Sequence, residues 1–306
     1  TKDIFETSNL TDLKSTPHKY YIVDSETEME SLAEKFLTFD FVCLDTETTN
    51  IDAMSAELVG LSFSIAENEA YYVPIPAKRD EALKIVNKFK EVYESDRILK
   101  IGQNIKYDII VLANYGIEVR GEIFDTMIAH YILQPELRHN MDYLAEIYLD
   151  YKTIHIDELI GAKGKKQGNM RDLTPEEVYE YACEDADVTL KLKHILEKEL
   201  YKEGLFGLFH DVEMPLVGVL ARMERNGARI DTASLKETSL LMSERMSAIE
   251  REIKELAGVD FNISSPRQVG EVLFDRLKIS SKAKKTKTGQ YTTSEDVLQN
   301  LRTKHP

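Results

Sequence analysis

Between residues 41 and 76 three runs dense in β-branched and aromatic residues follow one another: FVCLDTE (41–47), LVGLSFSIA (58–66) and AYYVPIP (70–76). The last two are joined by the polar tip Glu67-Asn68-Glu69. This spacing predicts an antiparallel meander of three strands. Ahead of it, KYYIVD (19–24) reads as a strand and residues 26–38 as a short helix. Behind it come a helix at about 80–94, a strand at 98–102 (ILKIG), and helices to about residue 200. Strands first, helices afterwards and a short parallel addition argue for an α/β layered domain.

The first of those strands ends unusually. Its apolar residues run into two carboxylates, Asp45 and Glu47. Residues two apart in a strand point to the same face, so the two acids project together. An acid-x-acid pattern alone means little, since about nine arise by chance in this composition. Its place at the end of an apolar strand is what raises it. Desolvation there penalises the charged forms, so the pair needs protons or cations. Divalent ions suit carboxylate oxygens.

The charge distribution sharpens the point. The chain of 306 residues carries a net charge of −15. Residues 201–306 hold 17 Lys+Arg against 15 Asp+Glu, which leaves 22 against 39 in residues 1–200. Such an acidic segment repels a phosphate backbone unless bound cations intervene. Length allows two domains. No apolar run approaches the roughly 20 residues of a membrane span, so no membrane partner is expected. Cys43 and Cys183 make no disulfide framework and read as reduced core thiols of a cytoplasmic protein. The first residue is Thr1, which reads as a cut end in a piece of a longer protein.

Two further segments offer acids in suitable settings. In GQNIKYDII (102–110) a strand runs into Asn104, a good N-cap, and Asp108 follows on the same helix face. Asp108 could equally be an ordinary helix-start acid. In LTPEEVYEYACEDADVTLKL (173–192), Thr174, Pro175 and Glu177 open a helix on which Tyr181 and Asp185 share a face. Asp187 lies about 200° away and should serve something else. By itself the Tyr181–Asp185 pair also fits a surface hydrogen bond.

After residue 204 the character changes. Residues 205–225 and 232–257 read as helices, with Gly227 as a stop between them. Met242, Met246, Ile249, Ile253 and Leu256 form a coiled-coil-like seam, best read as a helix hairpin packing on itself. SSPRQ (264–268) opens another helix, with Ser265 as N-cap and Gln268 at the capping-box position. Five lysines within 278–287 make either a solvated loop or a flexible contact to phosphates.

DxE, then Asp, then YxxxD in this order resembles the proofreading 3′→5′ exonuclease domain of bacterial family A DNA polymerases. DTET, GQNIKYD and YACEDADVTL look like that family's three exonuclease motifs; FDTMIAHYIL (124–133) and RHNMDYLAE (138–146) are similar to its intervening segments. EMPLVGVLARMERNGARID (213–231) and FNISSPRQVGEVLF (261–274) are similar to the start of the polymerase region, at the base of the thumb. The resemblance covers almost everything beyond residue 18. It implies a linker over 1–18, a ribonuclease H-like exonuclease domain with a mixed sheet and flanking helices over 19–204, and a truncated helical polymerase region over 205–306.

Roles follow by motif. Asp45, Glu47, Asp108 and Asp185 match the family's metal-binding carboxylates, and Tyr181 the tyrosine that helps place the attacking water. Thr48, Ile51, Gln103, Asn104, Tyr107 and Arg138 match positions near the 3′-terminal nucleotides; Ile51 stands where the family often has leucine. The cofactors implied are two divalent ions, Mg²⁺ or Mn²⁺ with Zn²⁺ possible at one site, roughly 4 Å apart. Asp45, Glu47 and Asp185 would hold the one that activates water. Asp45 and, through water, Asp108 would hold the one that stabilises the leaving 3′ oxygen. The expected partners are the single-stranded 3′ end of a DNA primer and the rest of the polymerase chain. The palm aspartates of the family lie beyond His305-Pro306, so primer extension is not expected of this fragment. An RNase D-like RNA-trimming nuclease and a non-catalytic DNA-holding scaffold are the alternatives.

Overall fold

Six strands form one mixed sheet in the computed structural model, which describes residues 10–164, 167–281 and 283–304. In chain order they are β1 (Lys19–Ile22), β2 (Phe41–Thr48), β3 (Leu58–Ala66), β4 (Glu69–Pro74), β5 (Leu99–Gly102) and β6 (Ile123–Asp125), and across the sheet they run β1-β4-β3-β2-β5-β6. β2, β3 and β4 are the expected antiparallel meander. β1, β5 and β6 each pair in parallel. The sequence gives no sign of β6, because three residues are too few for a strand period.

Among the described residues, eight α-helices and a 3-10 turn (Met170–Asp172) accompany the sheet: α1 (Glu26–Phe36), α2 (Arg79–Lys88), α3 (Lys90–Glu94), α4 (Ile105–Asn114), α5 (Thr126–Leu133), α6 (Met141–Leu149), α7 (Ile156–Ile160) and α8 (Pro175–Lys202). The single helix expected over 80–94 breaks at Phe89, whose side chain is fully buried and whose backbone leaves the helical region. α8 starts as its sequence requires, with Pro175 in the first turn and Glu177 Oε2 accepting from Thr174 N at 2.8 Å. It packs across β2, β3 and β4. Its first turns cover Val59, Ala70 and Tyr72 with Val178, Ala182 and Cys183; its second half joins the larger core through Leu190, Leu192, Leu196 and Leu200. Both cysteines are buried and unpaired.

Gly60 lets this packing close around the acid pair. It lies opposite Glu47 in the β2–β3 ladder, and a Cβ there would fall 2.2 Å from the ring of Tyr72. Tyr72 is itself buried, so its ring can yield only by displacing its neighbours. Gly60→Ala is therefore expected to destabilise the fold by about 1–3 kcal/mol, as overpacked cores do. A denaturant melt checks this; an unchanged midpoint would show that the ring relocates freely.

The chain divides into two compact units at Gly227/Ala228. The first unit ends with α9 (Phe206–Leu208), a π-helical turn (Phe209–Glu213) and α10 (Met214–Asn226), stopped by Gly227 at φ 64°. α10 packs on α4 and β6. The second unit begins with α11 (Thr232–Ala257), whose N-cap Asp231 accepts from Ala233 N and Ser234 N. Along the expected seam of α11, Met242, Met246, Ile249 and Leu256 are exposed. α10 has its apolar face, Met214, Val217 and Ala221, committed within the first unit.

α12 (Pro266–Gly270) follows, capped by Ser265, but Gln268 Oε1 accepts from Asn262 N rather than from Ser265. Part of the lysine-rich segment is an ordered hairpin instead of an open loop. Thr292 N donates to Lys284 O (2.9 Å), Thr286 N to Gln290 O (2.7 Å), and Lys285 Nζ sits 4.4 Å from the Tyr291 ring centroid. Lys282 lies outside the described residues. The last helix is α13 (Glu295–Leu301). Among the described residues no single helix is long and apolar enough to cross a membrane.

Candidate active site

The end of β2 and the middle of α8 meet at a cluster of acids. β2 presents Asp45 and Glu47 two residues apart, and α8 lays Asp185 beside them; carboxylate oxygens of all three lie within 4.8 Å of one another. Glu47 and Asp185 are buried and Asp45 is half-buried. Among the described residues, Glu47 Oε1 and Asp185 Oδ1 have no hydrogen-bond partner. Among the described residues no lysine, arginine or histidine pairs with any of these acids or with Asp108.

Asp108 stands apart from that group of three. It lies in the first turn of α4, is buried, and its Oδ1 accepts from the Thr46 hydroxyl at 2.6 Å. It still feels the cluster: burial pushes its carboxyl well above the usual range, and the charge of Asp45 pushes further. Glu47 is raised by burial and then by Asp45 and Asp108; Asp185 by burial and then by Asp45 and Glu47. Burial raises Asp45 to about 6. The Tyr181 phenol is raised too, first by burial and then by Asp185, so it stays protonated beside that carboxylate. Orphaned buried oxygens on a crowded set of hard donors fit divalent cations, which would neutralise several charges at once.

The other sequence-predicted residues split into three places. The Tyr107 hydroxyl meets the Thr48 hydroxyl at 2.5 Å and donates to the Asn50 carbonyl, so both line the strand end that carries the acids. Ile51, just beyond, is 89% exposed. Gln103 is occupied by the protein itself: its Nε2 donates to His139 O (2.8 Å) and its Oε1 accepts from the Thr126 hydroxyl (2.5 Å). Arg138 is exposed, with its guanidinium 5.0 Å from the Tyr143 ring centroid. Asn104 corrects its expectation. Its backbone is left-handed at φ 58°, and its side chain makes no capping bond to α4.

A family model described as 3′-5′ exonuclease matches residues 20–201. The chain belongs to the 3′-5′ exonuclease family. A second model, DNA polymerase family A, matches residues 232–306. The chain is 41% identical over 293 residues to DNA polymerase I of Pseudomonas aeruginosa, covering 92% of this chain and 32% of that protein. It is 36% identical over 290 residues to DNA polymerase I of Borreliella burgdorferi, covering 94% and 31%. The chain thus spans about a third of the length of these relatives. The solved POL domain of Pol1 from M. smegmatis, in complex with DNA primer-template and dNTP, superposes with a TM-score of 0.69 at 23% identity, covering 94% of this chain and 46% of that one. That likeness supports the fold.

The exonuclease domain also uses residues that motif reading passes over. Thr46 alternates away from the acid pair, yet its hydroxyl is what reaches Asp108. Asn169 Nδ2 donates to Thr49 O at 3.0 Å, while Arg171 donates to the carbonyls of Ile75 and Leu58, tying the entry of α8 to the sheet. Asp187 does serve another purpose, accepting from Tyr20 Oη (2.8 Å), Asn68 N (2.7 Å) and Lys191 Nζ (2.8 Å). Asp125, the last residue of β6, accepts four backbone N–H groups, and with β6 too short to recognise, nothing in the sequence signals it.

Proposed function

We propose that the exonuclease domain removes nucleotides from the 3′ end of DNA by hydrolysing the terminal phosphodiester, releasing nucleoside 5′-monophosphates with the help of two divalent cations. The observation that carries this is the convergence of Asp45, Glu47 and Asp185, with two buried oxygens that find no hydrogen-bond partner among the described residues. Those three carboxylates would hold one cation, and Asp45 with Asp108 the other. Divalent cations, when bound, supply Lewis-acid polarisation of the phosphate and of water.

The chain's own groups do the rest. Tyr181, kept protonated, can donate to or accept from a water beside Asp185 and so orient it for attack. Thr48 and Tyr107 offer hydroxyls at the strand end, and Ile51 an exposed apolar surface for the terminal base. Arg138 offers an unburied cation for a phosphate. An acidic domain with few such groups suits a short single-stranded end better than a long duplex. For function we divide the chain into an exonuclease domain over 19–204 and the first part of a polymerase region over 205–306, working within a longer DNA-directed DNA polymerase. Its relatives' names and the primer-template of the structural neighbour support that assignment.

The test is degradation of end-labelled single-stranded DNA with Mg²⁺ or Mn²⁺, beside RNA and a chelator control. Metal-dependent release of mononucleotides from DNA is expected. Equal degradation of RNA moves the reading to RNA trimming, and binding without cleavage moves it to a scaffold. Tyr181→Phe should slow single-turnover cleavage on the order of 10²-fold while leaving the melting temperature nearly unchanged. An unchanged rate would remove Tyr181 from the reaction.

A further inference from the structure

Asp125 ends β6 and is 1% exposed. Its Oδ1 accepts from Asn104 N (3.1 Å), Met127 N (2.9 Å) and Ile128 N (3.2 Å), and its Oδ2 from Ile105 N (2.9 Å). One carboxylate therefore satisfies the unpaired donors at the starts of two helices, α4 and α5. α4 needs this help. Its own N-cap, Asn104, contributes no side-chain bond and enters through a left-handed backbone that non-glycine residues seldom adopt. The next side chain repeats the link, since the Thr126 hydroxyl bonds Gln103 Oε1. Burial raises Asp125 to about 6 against the opposing pull of those N–H groups, which leaves it ionised at neutral pH.

What α4 carries makes the lock consequential. Asp108 and Tyr107 stand in its first turn, where the Thr46 hydroxyl joins Asp108 to β2 and the Thr48 hydroxyl joins Tyr107 to it. We propose that Asp125 is the positioning residue of the site: by clamping the start of α4 to α5 it fixes where Asp108 and Tyr107 stand relative to Asp45 and Glu47. This rests on the nuclease reading above.

Asparagine at 125 separates the two helices. An Asn amide oxygen can keep the three N–H groups facing Oδ1, but its NH₂ then faces Ile105 N–H, donor against donor. Asp125→Asn should thus loosen α4 and spare α5. In the metal-free protein, hydrogen exchange of the Ile105–Asp108 amides is expected to speed up by about 10-fold or more, with the Thr126–Ala129 amides near wild type. Cleavage at limiting Mg²⁺ should fall by about 10–100-fold and recover partly as Mg²⁺ is raised. A cooperative melt within a few degrees of wild type is expected. Unchanged exchange in α4, a loss that added Mg²⁺ does not relieve, or a uniform collapse of protection across the domain would each overturn the proposal. If the wild-type protein cleaves no DNA, the nuclease reading fails, and the exchange comparison still decides whether Asp125 holds α4.

Discussion

Asp45→Asn is expected to cut DNA cleavage by about 10³-fold and, in the metal-free protein at pH 8, to raise the melting temperature. The two effects have one cause. Asp45 sits beside Glu47 and Asp185, and burial lifts its carboxyl from 3.8 to about 6. A group whose folded pKa exceeds its unfolded value contributes stability below the unfolded value, and that contribution is lost as pH rises through the folded one. At pH 8 the folded metal-free protein carries the full cost of the ionised cluster, and an uncharged amide of equal shape relieves part of it. The relief is on the order of 1–3 kcal/mol, roughly 3–10 °C for a domain of this size. As the pH falls through about 6 toward 5, wild-type Asp45 takes up its proton and the difference should shrink. Thermal melts in chelator at pH 8 and pH 5 measure it. A variant less stable than wild type at pH 8 would mean that the acids are held by attractive contacts, and the case for cations would lose its basis.

The parts of this arrangement that the chain announces are those in which period and partner are local. Asp45 and Glu47 share a face because strands alternate, and Tyr181 and Asp185 share one because helices repeat near four; both patterns survive in the fold. The 200° offset of Asp187 likewise placed it in a different network. What the sequence withholds is the partner from far away. Asn104 reads as the cap of α4 from local spacing, but the cap comes from Asp125, 21 residues on, at the end of a strand too short to recognise. Nor does alternation foretell that Thr46, facing away from the acids, would hold Asp108. The seam of α11 shows the opposite failure. Its spacing is regular, yet a repeat defines an apolar face without naming what covers it, and Met242, Met246, Ile249 and Leu256 are exposed.

Divalent cations should stabilise the folded protein, and by more at alkaline than at acid pH. Glu47, Asp108 and Asp185 all have carboxyls raised by burial and then by the charge of Asp45, so protons and cations compete for the same oxygens. At pH 8 protons are scarce, and Mg²⁺ or Mn²⁺ at about 100 times its dissociation constant contributes about 2.7 kcal/mol, a rise of roughly 5–10 °C. At pH 5.5 the acids keep part of their protons, the apparent metal affinity drops, and the rise should be smaller. Chelator should reverse it at either pH. Sodium chloride at matched ionic strength serves as the control, because screening of surface charge acts on the whole acidic domain and a coordinated ion acts on the cluster alone. Asp185→Asn should abolish most of the Mn²⁺-induced rise while leaving the sodium chloride response intact. If Mn²⁺ and sodium chloride shift the melt equally, or if the shift is the same at pH 5.5 and pH 8, the orphaned oxygens of Glu47 and Asp185 are satisfied by something other than a dication.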